Sequence, residues 1–284
     1  MSILVTGVNG QLGHDVIEEL YRRGIPAVGI DKDDLDITDS SAVHAYIHDL
    51  LPTAVIHCAA YTAVDKAETE PEECYKVNRD GTRYIAEACR DNNSSMLYIS
   101  TDYVFPGVGD KPYEVDDKTG PVNVYGISKL AGETAIREIL TQYYIVRTSW
   151  LFGINGHNYV KTMLKLSQTR DALTIVDDQV GSPTYSRDLA VLLCDIVMSK
   201  KYGIYHAHNE GECSWAEFSR EIFNFAGKDT QVIPICSEEY KTVAVRPKNS
   251  RLSLKSLDDA GFARLPHWRD ALKRYLVEGS ETIV

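Results

Sequence analysis

Ile3-Leu4-Val5-Thr6-Gly7-Val8-Asn9-Gly10-Gln11-Leu12-Gly13 is an apolar run that breaks into a glycine-rich turn. Ile3 to Val5 show no polar alternation, as expected of a strand buried on both faces of a parallel sheet. A helix-like segment follows to about Arg23. Strand, glycine turn and helix in that order make a GxxGxxG variant of the dinucleotide-binding fingerprint. Gly7 permits the tight turn, Gly10 lets backbone N–H groups approach a pyrophosphate, and Gly13 lets the helix pack closely on the strand. The helix N-terminus then faces the anion.

The pattern continues outward from this unit. Ala27-Val28-Gly29-Ile30 predicts a second strand with Asp31 at its end, where a carboxylate accepts hydrogen bonds from an adenine ribose. Asp31 repels a 2′-phosphate and Lys32 offsets that, so NADH and NADPH both remain open. An Asp39/Ser40 cap signal opens an amphipathic helix over 40–50. Ala54-Val55-Ile56-His57-Cys58-Ala59-Ala60 reads as a strand ending in small residues that leave room for a cofactor, with His57 a core histidine. Residues 71–91 predict one long helix, 97–101 a strand, 125–140 a helix and 144–147 a strand. This alternation predicts an α/β fold, a Rossmann-type doubly wound parallel sheet with right-handed crossovers.

Beyond Trp150 the pattern loosens. Helices are expected over 160–166 and 189–198, a strand over 203–207, and a helix to about Phe225 opened by the capping box Ser214-Trp215-Ala216-Glu217. The expected organisation is a dinucleotide-binding domain at 1–150 and a smaller C-terminal substrate-binding lobe at 151–284. A segment near 170–200 is a candidate to return to the first domain. His206 and His208 share one face of a strand, but no third ligand accompanies them, so no metal site is expected.

The chain has 284 residues, 44% hydrophobic and 25% charged, which suits one large α/β domain or two closely packed ones. Its net charge of −11 argues against a duplex nucleic-acid partner, which selects a basic face. A small anionic ligand needs only local positive potential, and the densest basic cluster of the second lobe is Arg246, Lys248 and Arg251. The cysteines, six in all, form no CxxC and no zinc spacing, and most lie in apolar runs, as in a reducing compartment. No basic leader precedes Ile3 and no apolar run is long enough to span a bilayer. A cytoplasmic protein without membrane partners is the expectation.

Tyr125-Gly126-Ile127-Ser128-Lys129 supplies the chemistry. On a helix, positions i and i+4 share a face and lie about 6 Å apart along the axis. An ammonium about 4 Å from a phenolate contributes roughly 4 kcal/mol at an effective dielectric of about 20. That draws the phenol from its usual value of about 10 towards about 7, suited to exchanging a proton with a carbonyl oxygen. The ends of three predicted strands, at Gly7–Gly13, Ala59–Thr62 and Ser100–Asp102, converge on the same cleft.

The motifs GVNGQLG (7–13), HCAAYTAVDKAE (57–68), VNRDGT (77–82), STDYVF (100–105), YGISK (125–129) and RTSWLFG (147–153) resemble the extended short-chain dehydrogenase/reductase family. STDYVFPG, PVNVYGISKLAGE, RTSWLFG, DDQVGSPT and RPKNSRLSL, in that order, make the chain more narrowly similar to the dTDP-4-dehydrorhamnose reductases. The resemblance runs from Ile3 to about Arg274. It implies an oxidoreductase that uses NADPH or NADH to reduce the C4 keto group of a dTDP-linked 6-deoxy sugar, giving dTDP-L-rhamnose for cell-surface polysaccharide. It implies Tyr125 as proton donor, Lys129 as holder of the nicotinamide ribose, and Thr101 as a hydrogen-bond partner of the substrate carbonyl. Gly7, Gly10, Gln11, Leu12, Gly13, Asp31, Asp36, Ile37, Ala59, Ala60 and Tyr61 would line the cofactor together with Tyr125 and Lys129. Thr62, Val64, Thr101, Asp102, Tyr103 and Trp150 would contact substrate. Separately from the resemblance, the basic cluster makes Arg246 or Arg251 the expected partner of the substrate diphosphate. Some members use magnesium to hold a dimer through acidic residues. The stretch 183–188 carries Arg187 and few carboxylates, so a monomer or weak homodimer without a bridging metal is expected. Two alternatives share these motifs: a reductase of another nucleotide 4-keto sugar, and a non-catalytic dinucleotide-binding regulatory subunit.

Overall fold

Six parallel strands with helices on both faces build the first half of the molecule and one part of the second. The structure, a computed structural model, describes residues 2–281. The chain begins β1 (Ile3–Thr6), α1 (Gln11–Arg22), β2 (Ala27–Ile30), α2 (Ser40–Leu50) and β3 (Ala54–His57). Two short helices, α3 (Val64–Ala67) and α4 (Pro71–Tyr75), precede α5 (Thr82–Asp91), β4 (Ser95–Thr101), α6 (Val124–Ile139) and β5 (Tyr143–Thr148). Helix α1 buries Leu12, Val16, Ile17 and Leu20, one stripe of a 3.6-residue repeat. Burial of each such side chain is worth about 1.5–3 kcal/mol.

The remaining elements are β6 (Leu151–Phe152), α7 (Tyr159–Leu166), β7 (Ala172–Val176), β8 (Val180–Gly181), β9 (Thr184–Tyr185), α8 (Ser186–Ser199) and β10 (Gly203–His206). After them come β11 (Asn209–Glu210), β12 (Cys213–Ser214), α9 (Trp215–Phe225), β13 (Gln231–Ile235), α10 (Lys255–Ala260), β14 (Leu265–His267) and α11 (Trp268–Glu281). Residues 186–206 return to the large sheet: β10 pairs with β5, and α8 packs its buried face on the strands beside α1. The sheet order is β2-β1-β3-β4-β5-β10, with every pairing parallel. Strand order reverses between β1 and β3, so the crevice for a ligand lies at the carboxyl ends of those two strands. A separate aromatic core (Phe152, Tyr185, Phe218, Phe223, Trp268 and Tyr275) holds the second lobe.

The segment expected as one helix over 71–91 is interrupted by a π-helical turn, Lys76–Gly81. The extra residue re-aims Asn78 inward, where it is buried. His57 is a core residue: Nδ1 lies 2.7 Å from the Thr6 hydroxyl, Nε2 3.2 Å from that of Thr82, and burial lowers its pKa to about 3. His206 and His208 are interior as well, the two ring nitrogens of His208 each 2.8 Å from a carbonyl, of Asn209 and of Leu252. Among the described residues all six cysteines are free and only Cys236 is exposed. No described helix is long and apolar enough to cross a membrane.

Candidate active site

The turn after β1 is shaped for a close ligand. Gly7 has φ +75°, and a Cβ there would stand 2.8 Å from the Ala59 amide nitrogen. A Cβ on Gly13 would stand 2.2 Å from the Gly7 carbonyl oxygen, so neither position accepts a side chain. Gly10 caps α1 without a side-chain hydrogen bond. The first N–H groups of α1 therefore lack intrahelical partners and face the crevice, a cradle that fits a dinucleotide diphosphate. Asp31 accepts the Asn9 N–H at 2.9 Å and that of Lys32 at 2.7 Å, which fixes the loop against the end of β2. Asp36 accepts from Thr38, and this backbone hydrogen bond lowers its pKa.

Leu12 and Ile37 present backbone and not side chain to the crevice side of their turns. Both side chains belong to the hydrophobic cores, Ile37 against Gly81 of the π turn. Only their backbone is available to a cofactor. The loop 59–61 is held from behind. Asn78 accepts the Tyr61 N–H at 2.8 Å, donates to the Tyr61 carbonyl at 3.0 Å, and donates to the Ser128 hydroxyl at 3.0 Å. One buried amide thus fixes the loop 59–61 to the turn of α6 that carries Lys129.

Helix α6 starts at Asn123, whose side chain accepts the Gly126 N–H. Its Nδ2 donates to the Val245 carbonyl at 2.8 Å, tying the second lobe to the same helix end. Gly126 and Gly132 allow close approach, with Cβ positions 2.3 Å from the Tyr103 carbonyl oxygen and 2.5 Å from that of Asn78. Deeper in, Arg147 of β5 forms a two-pronged ion pair with Glu133 at 2.9 and 2.7 Å, and the Ser100 hydroxyl donates to Glu133 at 2.5 Å. This buried network fixes α6 over the ends of β4 and β5.

Tyr125 is thereby placed beside Thr101 and Tyr103. The rings of Tyr103 and Tyr125 meet edge to face at 5.7 Å. The Thr101 hydroxyl donates to Asp102 at 3.0 Å and accepts the Tyr103 N–H at 3.2 Å. The electrostatics differ from the sequence expectation. Burial, and after it the Asp102 carboxylate, raises the pKa of Tyr125, while a hydrogen bond with Thr101 lowers it. Lys129 is buried and lowered to about 7 by desolvation, opposed by Glu133. Desolvation dominates, so the phenol holds its proton at neutral pH. Asp102 is buried, raised by desolvation to about 6, and its Oδ2 has no hydrogen-bond partner among the described residues.

On the substrate side, Thr62 is exposed and Val64 opens α3. Asp65 beside it accepts the Ala244 N–H at 3.0 Å and pairs with Arg246 at 2.5 Å. Arg246 also donates to the Tyr103 hydroxyl at 3.5 Å. Arg251 is instead engaged by Glu212 and Asn249. Lys248 bridges Asp178 and Glu238. Those two carboxylates, with Cys236, form the single described group with metal-ligand spacing, and the Lys248 ammonium already sits on it. Trp150 adopts φ +48° and stacks on Trp215 at 3.6 Å. Trp215, Asn78, Asn123 and the Glu133–Arg147 pair escaped the sequence reading, because each acts through a partner distant along the chain.

Residues 1–280 match a family model described as "RmlD substrate binding domain". A dTDP-4-dehydrorhamnose reductase of Streptomyces griseus is 43% identical over 95% of this chain and 91% of its own length. The spore coat polysaccharide biosynthesis protein SpsK of Bacillus subtilis is 41% identical over 98% of both chains. A crystal structure of dTDP-4-dehydrorhamnose reductase from Bacillus anthracis in complex with NADP is 42% identical, covers 98% of this chain and 99% of that one, and superimposes with a TM-score of 0.95.

Proposed function

The chain belongs to the family described by the RmlD substrate-binding-domain model, and from that premise we propose how it works as a dTDP-4-dehydrorhamnose reductase. It is an NAD(P)H-dependent oxidoreductase that reduces the C4 keto group of dTDP-4-dehydrorhamnose to the alcohol of dTDP-L-rhamnose. The observation that carries this reading is the junction of Thr101, Tyr103 and Tyr125 at the ends of β4 and α6.

When bound, the reduced nicotinamide supplies a hydride to C4. The chain's residues handle the negative charge that develops on the carbonyl oxygen. Tyr125, and Thr101 once its O–H turns from Asp102, donate hydrogen bonds to that oxygen. The raised pKa of Tyr125 keeps it protonated until transfer, and its proton completes the alcohol. Transfer leaves a phenolate, which the Lys129 ammonium stabilises when protonated. Gly7, Gly10 and Gly13 bring the backbone against the cofactor diphosphate, Asp31 faces its adenosine ribose, and Ala59, Ala60 and Tyr61 form the wall that Asn78 braces. Thr62, Val64, Asp102, Tyr103 and Trp150 contour the sugar site. Arg246 takes the substrate diphosphate. The reaction proceeds in the cytoplasm, on a monomer or weak homodimer.

The direct test is spectrophotometric. NADPH or NADH absorbance must fall when a dTDP-4-keto-6-deoxy sugar is added, with dTDP-L-rhamnose as product. Cofactor binding without consumption would instead favour a regulatory subunit.

A further inference from the structure

Residues 153–158, which lead from β6 to α7, lie against the glycine turn. Asn155 Nδ2 donates to the carbonyl oxygens of Asn9 at 2.9 Å and Gly10 at 3.1 Å. Asn158, the N-cap of α7, donates to Gln11 Oε1 at 3.2 Å and to the Gly153 carbonyl at 2.8 Å. The segment is itself braced, since Lys161 Nζ donates to the carbonyls of Ile154 at 2.6 Å and Gly156 at 2.8 Å. Its approach is close: a Cβ on Gly153 would lie 3.3 Å from Gln11 Cβ, and one on Gly156 3.4 Å from Gln11 Cγ.

The contact has a geometric consequence. In a planar trans peptide the C=O and N–H point in opposite directions. Holding the Gly10 carbonyl towards Asn155 turns the Gln11 N–H to the other side of the turn. Gln11 N–H is one of the unpaired donors at the start of α1. Gly10 has no side-chain cap, and besides Asn155 its carbonyl is held only by the long 3.4 Å bond from the His14 N–H, while its own N–H donates to the Gly7 carbonyl at 3.1 Å.

We propose that Asn155 is a positioning residue for the cofactor diphosphate. It pins the peptide units of Asn9 and Gly10 so that the N–H groups of the turn are already aimed when the anion arrives. The second lobe thereby contributes to the dinucleotide site without touching the ligand. This rests on the reading of Gly7–Gly13 as a dinucleotide cradle.

Fluorescence titration with NADPH and calorimetric titration with ADP-ribose test it, on the parent, Asn155→Ala and Asn155→Asp. For Asn155→Ala, both dissociation constants should rise about five- to tenfold, as for the loss of one or two neutral hydrogen bonds. kcat at saturation, KM for the sugar nucleotide and Tm should stay at parent values. Asn155→Asp should lose more, because a carboxylate cannot donate and adds negative charge beside the diphosphate. Affinities of Asn155→Ala within twofold of the parent would overturn the proposal. So would a joint fall of kcat and Tm, the mark of a purely structural tether. A parent that binds neither NADPH nor ADP-ribose would reject the dinucleotide cradle itself.

Discussion

The ammonium of Lys129 stands 4.0 Å from the centroid of the Tyr98 ring. Burial lowers Lys129 to about 7, and the ring face favours the charged form. Stabilising a Tyr125 phenolate requires the ammonium, so activity should fall as pH rises through the titration of Lys129. We expect kcat/KM for NADPH to fall on the alkaline side with an apparent pKa near 7. Tyr98→Leu removes the ring and should move that fall to lower pH, whereas Tyr98→Phe keeps the ring and should leave it nearly in place. A pH–rate profile of the three proteins decides this.

Asp102 is a stability cost at neutral pH. Its folded pKa, about 6, lies above the unfolded value of about 3.9. The folded chain therefore binds this proton more tightly than the unfolded chain. The associated stability is full below about pH 4 and is lost as pH rises through about 6. Asp102→Asn should thus raise stability at pH 7.5 by up to about 3 kcal/mol, while the gain vanishes at pH 4. Urea denaturation at the two pH values measures it. Activity should fall in the same variant, because Asp102 supports Thr101.

Arg246 and Arg251 separate cleanly. Arg246 reaches Tyr103 and pairs with Asp65, while Arg251 is turned to Glu212. Arg246→Ala should raise KM for the nucleotide sugar about tenfold or more, the loss of a charge-assisted hydrogen bond, with KM for NADPH unchanged. Arg251→Ala should leave the sugar KM within twofold, as a rim change. Steady-state kinetics with each substrate varied makes the comparison.

The Glu133–Arg147 pair is buried on both sides, with side-chain exposures of 1% and 2%. Glu133→Ala leaves an unpaired guanidinium in the core, which costs about 3–5 kcal/mol. The denaturation midpoint should fall accordingly. Replacing both partners together should cost less than the sum of the single changes, and a double-mutant cycle reads the difference.

Features set by neighbouring residues were legible in the sequence. Gly7 and Gly13 are demanded by a turn whose strand and helix flank it directly, and the uniformly apolar runs of β1 and β3 announce two-sided burial. The Tyr125/Lys129 spacing places both residues on one helix face without further information. What stayed hidden depends on tertiary partners. The π turn at 76–81 exists where Asn78 can reach both Tyr61 and Ser128. The stacking partner of Trp150 is Trp215, in a different element. The sequence marks a segment near 170–200 as a candidate to return to the first domain, but nothing local tells that the strand after it pairs with β5. The pKa of Tyr125 went the other way from the spacing argument, because desolvation is a property of the folded surroundings and not of the Tyr–Lys interval.

Tyr125→Phe removes one hydroxyl and leaves the cofactor cradle untouched. Stopped-flow consumption of NADPH with dTDP-4-dehydrorhamnose, alongside NADPH affinity by fluorescence, shows whether Tyr125 is the proton donor. kcat should fall about 10²–10⁴-fold, as for loss of a general acid, with NADPH affinity unchanged. Turnover at the parent rate in Tyr125→Phe would contradict that role.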